Sequence, residues 1–494
     1  MVEGQKHSKL AMKISEGASK FRYIGVRHVQ MTCMSFCMIA LLMARSSMGV
    51  AILAMTDPNN KNTEVYDWDK KTQGLILSSF FWGYMSMQIP AGVFSKMFGG
   101  KTILLIALIV NAFLTALFPT LASLGGWRIV CVVRVCMGLA QACLYPASHT
   151  LLGRWLPANE RTTYTGIVYS GSQLGYIIAM PLSGYLAETA LGWKMIFYVI
   201  SGVMFVTAAV WYWFSANSPD DHFMMGEEEK AYIERGLHSV GPPVQGPVPW
   251  KAILSTGALW AIVAAHIGAS INYMLFFVDL PTYLEKALQI SLKNSATLSA
   301  LPYVGMCVGN IVSAALCEWI YNNGILSVVT CRKIFNTIGM CGSALGTIAL
   351  AFLGPEHKVQ AFIMLMFILT ISGFSSAGFS VNHLDLSPQF AGLLLSITNF
   401  SATFCSAFTP LVTGYILNNN LSDISRWRIV FLLVSAIAIV SNLIYVIFGS
   451  ADRQPWDSPD YKDRKKADPE EMRPLSKTAM KELEALRASI EAIE

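Results

Sequence analysis

The phrase PLSGY at residues 181–185, followed by WKMIF at 193–197, occurs twice in this chain and decides its fold. Its second copy is PLVTGY at 410–415, followed by WRIVF at 427–431. The copies lie near the ends of two apolar stretches, and the second copy comes six apolar segments after the first. Because an even number of membrane crossings leaves both copies pointing the same way, the phrase predicts two parallel halves of six helices each.

Apolar segments of about 20 residues recur along the chain, and each is long enough to cross a bilayer core of about 30 Å. The 494 residues are 54% hydrophobic and only 14% charged, which is too little charge to cover a soluble protein of this size. An open strand edge in lipid would leave backbone amides unpaired, so the segments must be helices. The sequence predicts an all-α membrane protein with twelve transmembrane helices. They cover residues 29–55, 72–95, 102–121, 127–151, 162–190, 194–214, 252–284, 296–321, 331–353, 359–386, 390–417 and 427–449.

The same segments define the domain organisation. The predicted regions are a cytoplasmic N-terminal tail (1–28), an N-terminal half (29–214), a cytoplasmic linker (215–251), a C-terminal half (252–450) and a cytoplasmic C-terminal tail (451–494). The linker contains a charged run at 227–235 and a stretch rich in Pro and Gly at 241–249. The first 28 residues are polar and basic, so we expect no cleavable signal peptide. Residues 474–493 could form an amphipathic helix, to which we assign no role.

Lysine and arginine are concentrated on one side of the twelve predicted segments. By the positive-inside rule that side is cytoplasmic, and both termini and the linker lie there. The net charge of +5 follows from this asymmetry and does not indicate nucleic-acid binding. A sequon at Asn420 is predicted to lie on the opposite side. The plasma membrane and an acidic vesicle or lysosome fit the sequence equally well.

Several classes of protein are disfavoured by what the sequence lacks. Its ten cysteines lie in or beside apolar segments, where a reduced, small hydrophobic side chain is the usual role. It has no phosphate-binding loop, no zinc-ligand spacing and no nucleophile elbow in a polar segment. We therefore expect no enzymatic activity, no metal site and no cofactor.

Two arginines lie inside predicted membrane segments. Arg45 is about ten residues, roughly 15 Å of helix, from the outer end of the first segment, and Arg134 about eight residues, roughly 12 Å, from that of the fourth. A charge in lipid costs at least about 2.5–3.5 kcal/mol, so both must face a wet cavity or a partner. A guanidinium offers a planar set of donors that suits carboxylate or phosphate, and neither segment holds an acidic residue. The pattern favours an anion-binding pair over two structural ion pairs.

Further polar side chains of the second, fourth and fifth segments are candidates for contact with the anion. They are Tyr84, Gln141, Tyr169 and Gln173. The glycines of the fifth segment are interpreted as sites of close helix packing. They are Gly166, Gly171, Gly175 and Gly184.

Ion coupling or gating has two candidate locations. Asp279 lies among apolar residues of the seventh segment. Burial there favours the protonated form of its carboxyl group, which a proton site needs. The alternative is a carboxylate that reaches water or caps a helix break at Pro281. Asn382, His383 and Asp385 end the tenth segment, where they form either a gate with a proton relay or a plain polar helix end. His149 and His266 are interpreted as isolated histidines with satisfied hydrogen bonds.

Several phrases of the chain are specific enough to suggest a family. They are SFFWGY at 79–84, QIP at 88–90, YPA at 145–147, LPTY at 280–283, NHLD at 382–385 and QPW at 454–456. In these phrases the chain resembles the anion transporter family of the major facilitator superfamily, which includes sialin, the vesicular glutamate and nucleotide transporters and the sodium-phosphate cotransporters. The resemblance implies substrate anions held at Arg45 and Arg134. It also implies alternating access coupled to protons, sodium or membrane potential.

The chain departs from this family at positions that matter for coupling and substrate. Met137 and Gln141 stand where proton-coupled members such as sialin have glutamates, and here the chain looks like the vesicular nucleotide transporter. Leu77 and Ala269 stand where the vesicular glutamate transporters have His and Arg, which disfavours glutamate. Lys96 replaces the usual Asp of the loop after the second segment.

Together the sequence predicts a monomeric secondary active transporter that moves a small organic anion or inorganic phosphate by alternating access. Arg45 and Arg134 hold the anion, and Asp279 or His383 couples its movement to H⁺ or Na⁺. Its expected partners are the small anion and the lipid bilayer, not nucleic acid. Two alternatives stay open. One is a potential-driven vesicular anion carrier, and the other is a facilitator-fold sensor that does not transport.

Overall fold

The computed structural model describes residues 25–56, 64–68, 70–237, 248–289, 292–417 and 420–457, and these form helices and turns with no β-strand among them. The all-α prediction is therefore confirmed. Most of the predicted N-terminal tail, and residues 474–493 of the C-terminal tail, lie outside the described residues.

Six helices build the N-terminal half. They are α1 (Val26–Met55), α2 (Lys70–Phe98), α3 (Gly100–Gln141), α4 (Leu144–Trp155), α5 (Arg161–Ala187) and α6 (Trp193–Phe214). Inside α3, Gly126 has φ 58° and ψ −156°, so the helix kinks there. Glycine adopts a positive φ without steric cost, and this kink separates the third and fourth predicted segments. The fourth segment continues past a turn at residues 142–143 into α4.

The linker carries its own short helices. They are a 3₁₀ turn (Pro219–Asp221), α7 (Glu227–Leu237) and α8 (Trp250–Leu254). The next long helix begins at Gly257, with Thr256 as its N-cap. The seventh predicted segment, which starts at residue 252, therefore begins too early, because its first residues belong to α8.

The C-terminal half is more broken than the sequence predicts. Its helices are α9 (Gly257–Thr282), α10 (Leu292–Asn322), α11 (Val328–Leu350), α12 (Lys358–Ser372), α13 (Phe379–Leu386), α14 (Ala391–Ser406), α15 (Thr409–Leu417) and α16 (Ile424–Phe448). A 3₁₀ turn (Gly373–Ala377) interrupts the tenth predicted segment. A Cβ on Gly373 would lie 2.7 Å from the backbone nitrogen of Asn310, so this turn lets α10 approach the chain closely.

Eight stretches of the described residues are long and apolar enough to cross a membrane. One of them, Gly100–Trp155, has 56 residues, about 80 Å of helix at 1.5 Å per residue, which is enough for two crossings divided at the Gly126 kink. The helices α2, α5 and α11 fall outside this set because they bury polar side chains such as Gln88, Ser170 and Asn336 inside the bundle. The count of twelve crossings stays a prediction.

Corresponding helices pack in the same way in the two halves. In the N-terminal half α1 packs on α5 and α6, and α3 packs on α6. In the C-terminal half α9 packs on α14 and α16, and α11 packs on α16. This agreement is what the repeated phrase at 181–185 and 410–415 predicts. The halves meet mainly where α5 packs on α10 and where α2 packs on α14.

Arg27 ties the linker to the start of α1. Its Nε lies 2.8 Å from Glu160 Oε2 and its Nη1 lies 2.9 Å from Glu229 Oε1. Glu229, on α7, also accepts the backbone N–H of Val26 at 2.8 Å and so caps a helix start that has no partner of its own. We call this end of the bundle, where α1 and α9 begin, the linker end.

The Glu229→Ala variant should be less stable than the wild-type protein by about 3 kcal/mol, because it leaves a buried arginine with one carboxylate instead of two. The readout is the melting temperature of the purified protein in detergent. Glu228→Ala is the matched control, since Glu228 is exposed on the same helix. Equal melting temperatures for the two variants would contradict this assignment.

The first residues of the predicted C-terminal tail are not free in the structure. Trp456 Nε1 donates to Thr256 Oγ1 at 3.0 Å, and Arg453 Nε lies 2.6 Å from Asp457 Oδ2. The backbone N–H of Gln454 donates to the carbonyl of Leu386 at 2.9 Å. The QPW phrase at 454–456 therefore fastens the chain to the start of α9 and the end of α13.

Candidate functional site

Arg45 of α1 and Arg134 of α3 share one aromatic neighbour, Phe80 of α2. The guanidinium carbon of Arg45 lies 4.9 Å from the centre of the Phe80 ring, and that of Arg134 lies 4.8 Å from it. Arg45 also lies 4.6 Å from the ring centre of Tyr84. Because Phe80 and Tyr84 are one turn apart, a single face of α2 positions both charges.

Neither arginine has a counterion among the described residues, whose ion pairs all involve other basic side chains. Arg134 is 3% exposed, and its Nε has no hydrogen-bond partner. An aromatic face attracts a cation but accepts no strong hydrogen bond, so guanidinium donors stay unused. A buried charge without a partner costs several kcal/mol, and a bound anion would offset much of that cost.

Tyr84 connects this arginine pair to the C-terminal half. Its hydroxyl oxygen accepts a hydrogen bond from Asn399 Nδ2 of α14 at 3.1 Å. The Tyr84 side chain is 3% exposed, so the contact is made inside the protein. The predicted site residue Tyr84 therefore lies at the contact between the halves, beside Arg45.

A central cavity of about 210 Å³ lies between the halves. Tyr145, Tyr169 and Gln173 line it from the N-terminal half, and residues of α9, α10, α11 and the turn at 373–377 line it from the other. Two of the predicted substrate contacts, Tyr169 and Gln173, therefore face this space. Arg45 lies on the neighbouring part of α1, because α1 packs on α5 just before it: a Cβ at Gly175, two residues after Gln173, would lie 3.3 Å from the backbone nitrogen of Met43.

Gln141 is placed differently from its prediction as a substrate contact. Its Nε2 donates to Asn111 Oδ1 at 3.2 Å, and the side chain is 1% exposed. Both residues belong to α3, on either side of the Gly126 kink, so this bond joins the two arms of the helix. In this conformation Gln141 does not line the central cavity.

The structure separates the predicted coupling residues. Asp279 lies in a small pocket inside the C-terminal half, beside Tyr283 and Trp427, and its Oδ2 has no hydrogen-bond partner. Asn382 donates to the hydroxyl of Tyr445 at 2.8 Å. Neither of them lines the central cavity.

His383 forms a cluster with His149 and His266, which sequence reasoning treated as isolated. The ring centres of His149 and His383 are 5.5 Å apart, and those of His266 and His383 are 6.5 Å apart. Thr398 Oγ1 lies 2.8 Å from His383 Nε2 and 3.1 Å from His266 Nδ1, and the Tyr169 hydroxyl is hydrogen-bonded to His149. No sequence signal pointed to this cluster, because the three histidines come from α4, α9 and α13. Within the described residues no group of side chains is arranged to hold a metal ion.

The linker end of the bundle is closed in this structure. Arg332 Nε pairs with Asp385 Oδ2 at 2.7 Å, and Arg332 Nη2 donates across the halves to Thr162 Oγ1 at 3.0 Å. Glu318 of α10 accepts the backbone N–H of Thr163 of α5 at 2.9 Å. Asp385, predicted to be a gating residue, thus holds the arginine whose bond to Thr162 crosses between the halves.

An all-helical membrane protein with two similar halves and a polar cavity between them has the architecture of a transporter, and comparison with known proteins agrees. The model of the Major Facilitator Superfamily matches residues 34–384. The solved structure of the proton:xylose symporter XylE, bound to 6-bromo-6-deoxy-D-glucose, superposes with a TM-score of 0.67 over 88% of this chain and 98% of that one. Its sequence identity is 13%, so this likeness concerns the fold.

Two relatives share much more sequence. A protein of Drosophila ananassae named "Putative inorganic phosphate cotransporter" is 35% identical over 86% of this chain and 92% of its own. Sialin of Homo sapiens is 34% identical over 82% of this chain and 80% of its own. The chain therefore belongs to the Major Facilitator Superfamily, in the anion transporter family that includes sialin, as the sequence phrases predicted.

Proposed function

We propose that this protein is a secondary active transporter of a small organic anion or inorganic phosphate, held by Arg45 and Arg134. The observation that carries the proposal is the pair of guanidinium groups that share the Phe80 ring and have no counterion among the described residues. Two positive charges in one place suit a carboxylate or phosphate, which accepts several hydrogen bonds at once. The names of the relatives, a phosphate cotransporter and sialin, agree with an anionic cargo.

Transport in this proposal proceeds by alternating access between the two halves. The structure is closed at the linker end by Arg332, Asp385 and Glu318. Opening that end requires the two bonds that cross between the halves, Arg332 to Thr162 and Glu318 to Thr163, to break while the halves rotate about the cavity. We place the linker end in the cytoplasm. The proposal is compatible with the plasma membrane and with the membrane of an acidic vesicle or lysosome.

The coupling ion is proposed to be H⁺ or Na⁺, acting at Asp279 or at His383. Asp279 has an unpartnered oxygen, and His383 lies in the histidine cluster beside the cavity residue Tyr169. A second candidate is a carrier driven by membrane potential alone. It is favoured because Arg134 forms no ion pair among the described residues, and Gln141, seven residues further along α3, is an uncharged amide bonded to Asn111.

Uptake into liposomes that hold the purified protein tests the proposal. Phosphate, glutamate, sialic acid, urate and ATP are compared, with a proton gradient, a sodium gradient and a membrane potential imposed separately. We expect one class of these anions to accumulate under one of these driving forces, and little uptake by Arg45→Ala protein. Absence of uptake of every anion under every gradient, by protein that is folded, would contradict transport.

A further inference from the structure

Polar and apolar side chains both line the central cavity, and the described residues among them carry no formal charge. None of the residues that line it is Asp, Glu, Lys or Arg, and its polar groups are hydroxyls, side-chain amides and the imidazole of His266. Its volume of about 210 Å³ exceeds that of a single water molecule, which occupies roughly 30 Å³ in the liquid. The arginine pair therefore supplies the charge of the site, while the adjoining space offers only uncharged hydrogen-bonding groups.

Two amides of this lining have groups with no hydrogen-bond partner among the described residues. Gln173 Oε1 is buried without a hydrogen bond. Asn272 is 5% exposed, lines the cavity and makes no hydrogen bond with any other described residue. Asn310, also in the lining, is different, since its Nδ2 donates to Ser170 Oγ at 3.0 Å. A buried amide left without a partner costs free energy, so Gln173 and Asn272 are the lining groups best prepared to bind a ligand.

These two amides face the cavity from opposite halves of the molecule. Gln173 belongs to α5 and Asn272 belongs to α9. A Cβ at Gly175, two residues after Gln173, would lie 3.3 Å from the backbone nitrogen of Met43, so this side of the lining adjoins the segment of α1 that carries Arg45. A molecule with its charge at the arginines can extend into this neutral space.

We infer that Gln173 and Asn272 form a neutral subsite that selects monoanions whose far end carries hydroxyl or amide groups. The inference rests on the proposed function and refines its substrate class. An ammonium group or a second carboxylate would lie in the subsite without a counterion, which disfavours amino acids and dicarboxylates. Inorganic phosphate at the arginines leaves both amides unsatisfied. Because the amides come from different halves, a ligand bonded to both draws the halves together around it.

Calorimetric titration of the purified full-length protein in detergent tests this subsite with a matched pair of probes. Glucuronate carries hydroxyl groups on a six-membered ring, and cyclohexanecarboxylate has the same ring size and charge without them. We expect glucuronate to bind at least about tenfold more tightly, since one neutral hydrogen bond is worth about that factor. Asn272→Leu and Gln173→Leu should each remove most of this difference, because each takes away a hydrogen bond that only glucuronate can use.

Controls separate this inference from the proposed function. Asn323→Leu, at an exposed asparagine, should bind both probes as the wild-type protein does. Asn272→Ala repeats the test with a smaller side chain, and Arg134→Gln should weaken both probes together. Equal affinities of the wild-type protein for the two probes, or a difference that survives in the Asn272 and Gln173 variants, would overturn the subsite while the arginine site stands. Unchanged binding in Arg134→Gln would instead remove the proposed function and the subsite with it.

Discussion

Arg134→Ala should reduce anion uptake at least about 100-fold, because it removes charge-assisted hydrogen bonds worth about 1.5–3 kcal/mol each. The side chain is buried, and within the described residues it makes no ion pair and its Nε no hydrogen bond, so the variant loses only the contact with the Phe80 ring. For the same reason the melting temperature should be unchanged or higher, since an unpaired buried charge destabilises a protein. The measurement is uptake into liposomes that hold equal amounts of folded wild-type and variant protein.

The matched control for Arg134→Ala is Arg128→Ala, six residues earlier on the same helix. Arg128 is exposed and lies beside the ring of Trp127, so it should be dispensable for the anion. Uptake by Arg134→Ala at the wild-type rate, with Arg128→Ala also unchanged, would remove this arginine from the site.

Gly138→Val should prevent the protein from folding or cost more than about 3 kcal/mol, the upper part of the range for an added side chain in a packed interior. A Cβ at Gly138 would lie 2.1 Å from the carbonyl oxygen of Phe80 and 2.8 Å from the backbone nitrogen of Tyr84. On the other helix, a Cβ at Gly83 would lie 2.1 Å from the carbonyl oxygen of Val135. The backbones of α2 and α3 thus touch, and this contact holds Phe80 and Tyr84 against the arginines.

Gly184→Val is the matched control for this packing prediction, because a Cβ at Gly184 would meet nothing within 4 Å. Both glycines lie in helices, so the cost of a β-branched side chain on the backbone is the same for both. The readout is the amount and melting temperature of monodisperse protein from size-exclusion chromatography. Similar yields for the two variants would show that α2 and α3 do not need this close approach.

The parts of the fold that follow from local chemistry could be predicted from the sequence. A run of apolar residues must form a helix in lipid, so the end of the run predicts the end of the helix. The first predicted segment and α1 both end at residue 55. Charged residues are costly there, which is why Arg45 and Arg134 could be singled out before their surroundings were known. The repeated phrase indicated parallel halves because an even number of membrane crossings from one copy to the next leaves both copies pointing the same way.

Features that depend on contacts between distant helices could not be predicted. The 3₁₀ turn at Gly373–Ala377 exists because α10 passes close to it, and the sequence of the tenth segment reads as one helix. Gly166 packs against Ala314 as predicted for the glycines of α5, but the prediction was wrong for Gly184, which faces open space. Glycine marks a permissive position and does not reveal whether another chain lies opposite it.

At the candidate site too, features set by one segment could be predicted, and contacts between distant segments could not. Tyr169 and Gln173 were predicted from their depth in the fifth segment, and both line the cavity. Gln141 was predicted as a neutral donor because it follows Arg134 on the fourth segment, where proton-coupled relatives have a glutamate, yet it bonds to Asn111 across the kink of α3. Two further features depend on how the halves face each other, which the local sequence does not reveal. They are the cluster of His149 with His383 and the position of Asn272 in the cavity lining.

The central claim is that Arg45 and Arg134 together receive the anion. Its most direct test is the equilibrium affinity of the purified protein for the anion that it transports, measured for the wild type, the double variant Arg45→Gln with Arg134→Gln, and Arg128→Gln. We predict saturable binding by the wild type and by Arg128→Gln, and loss of binding in the double variant without loss of folded protein. Binding of undiminished affinity in the double variant would place the anion elsewhere and contradict the account.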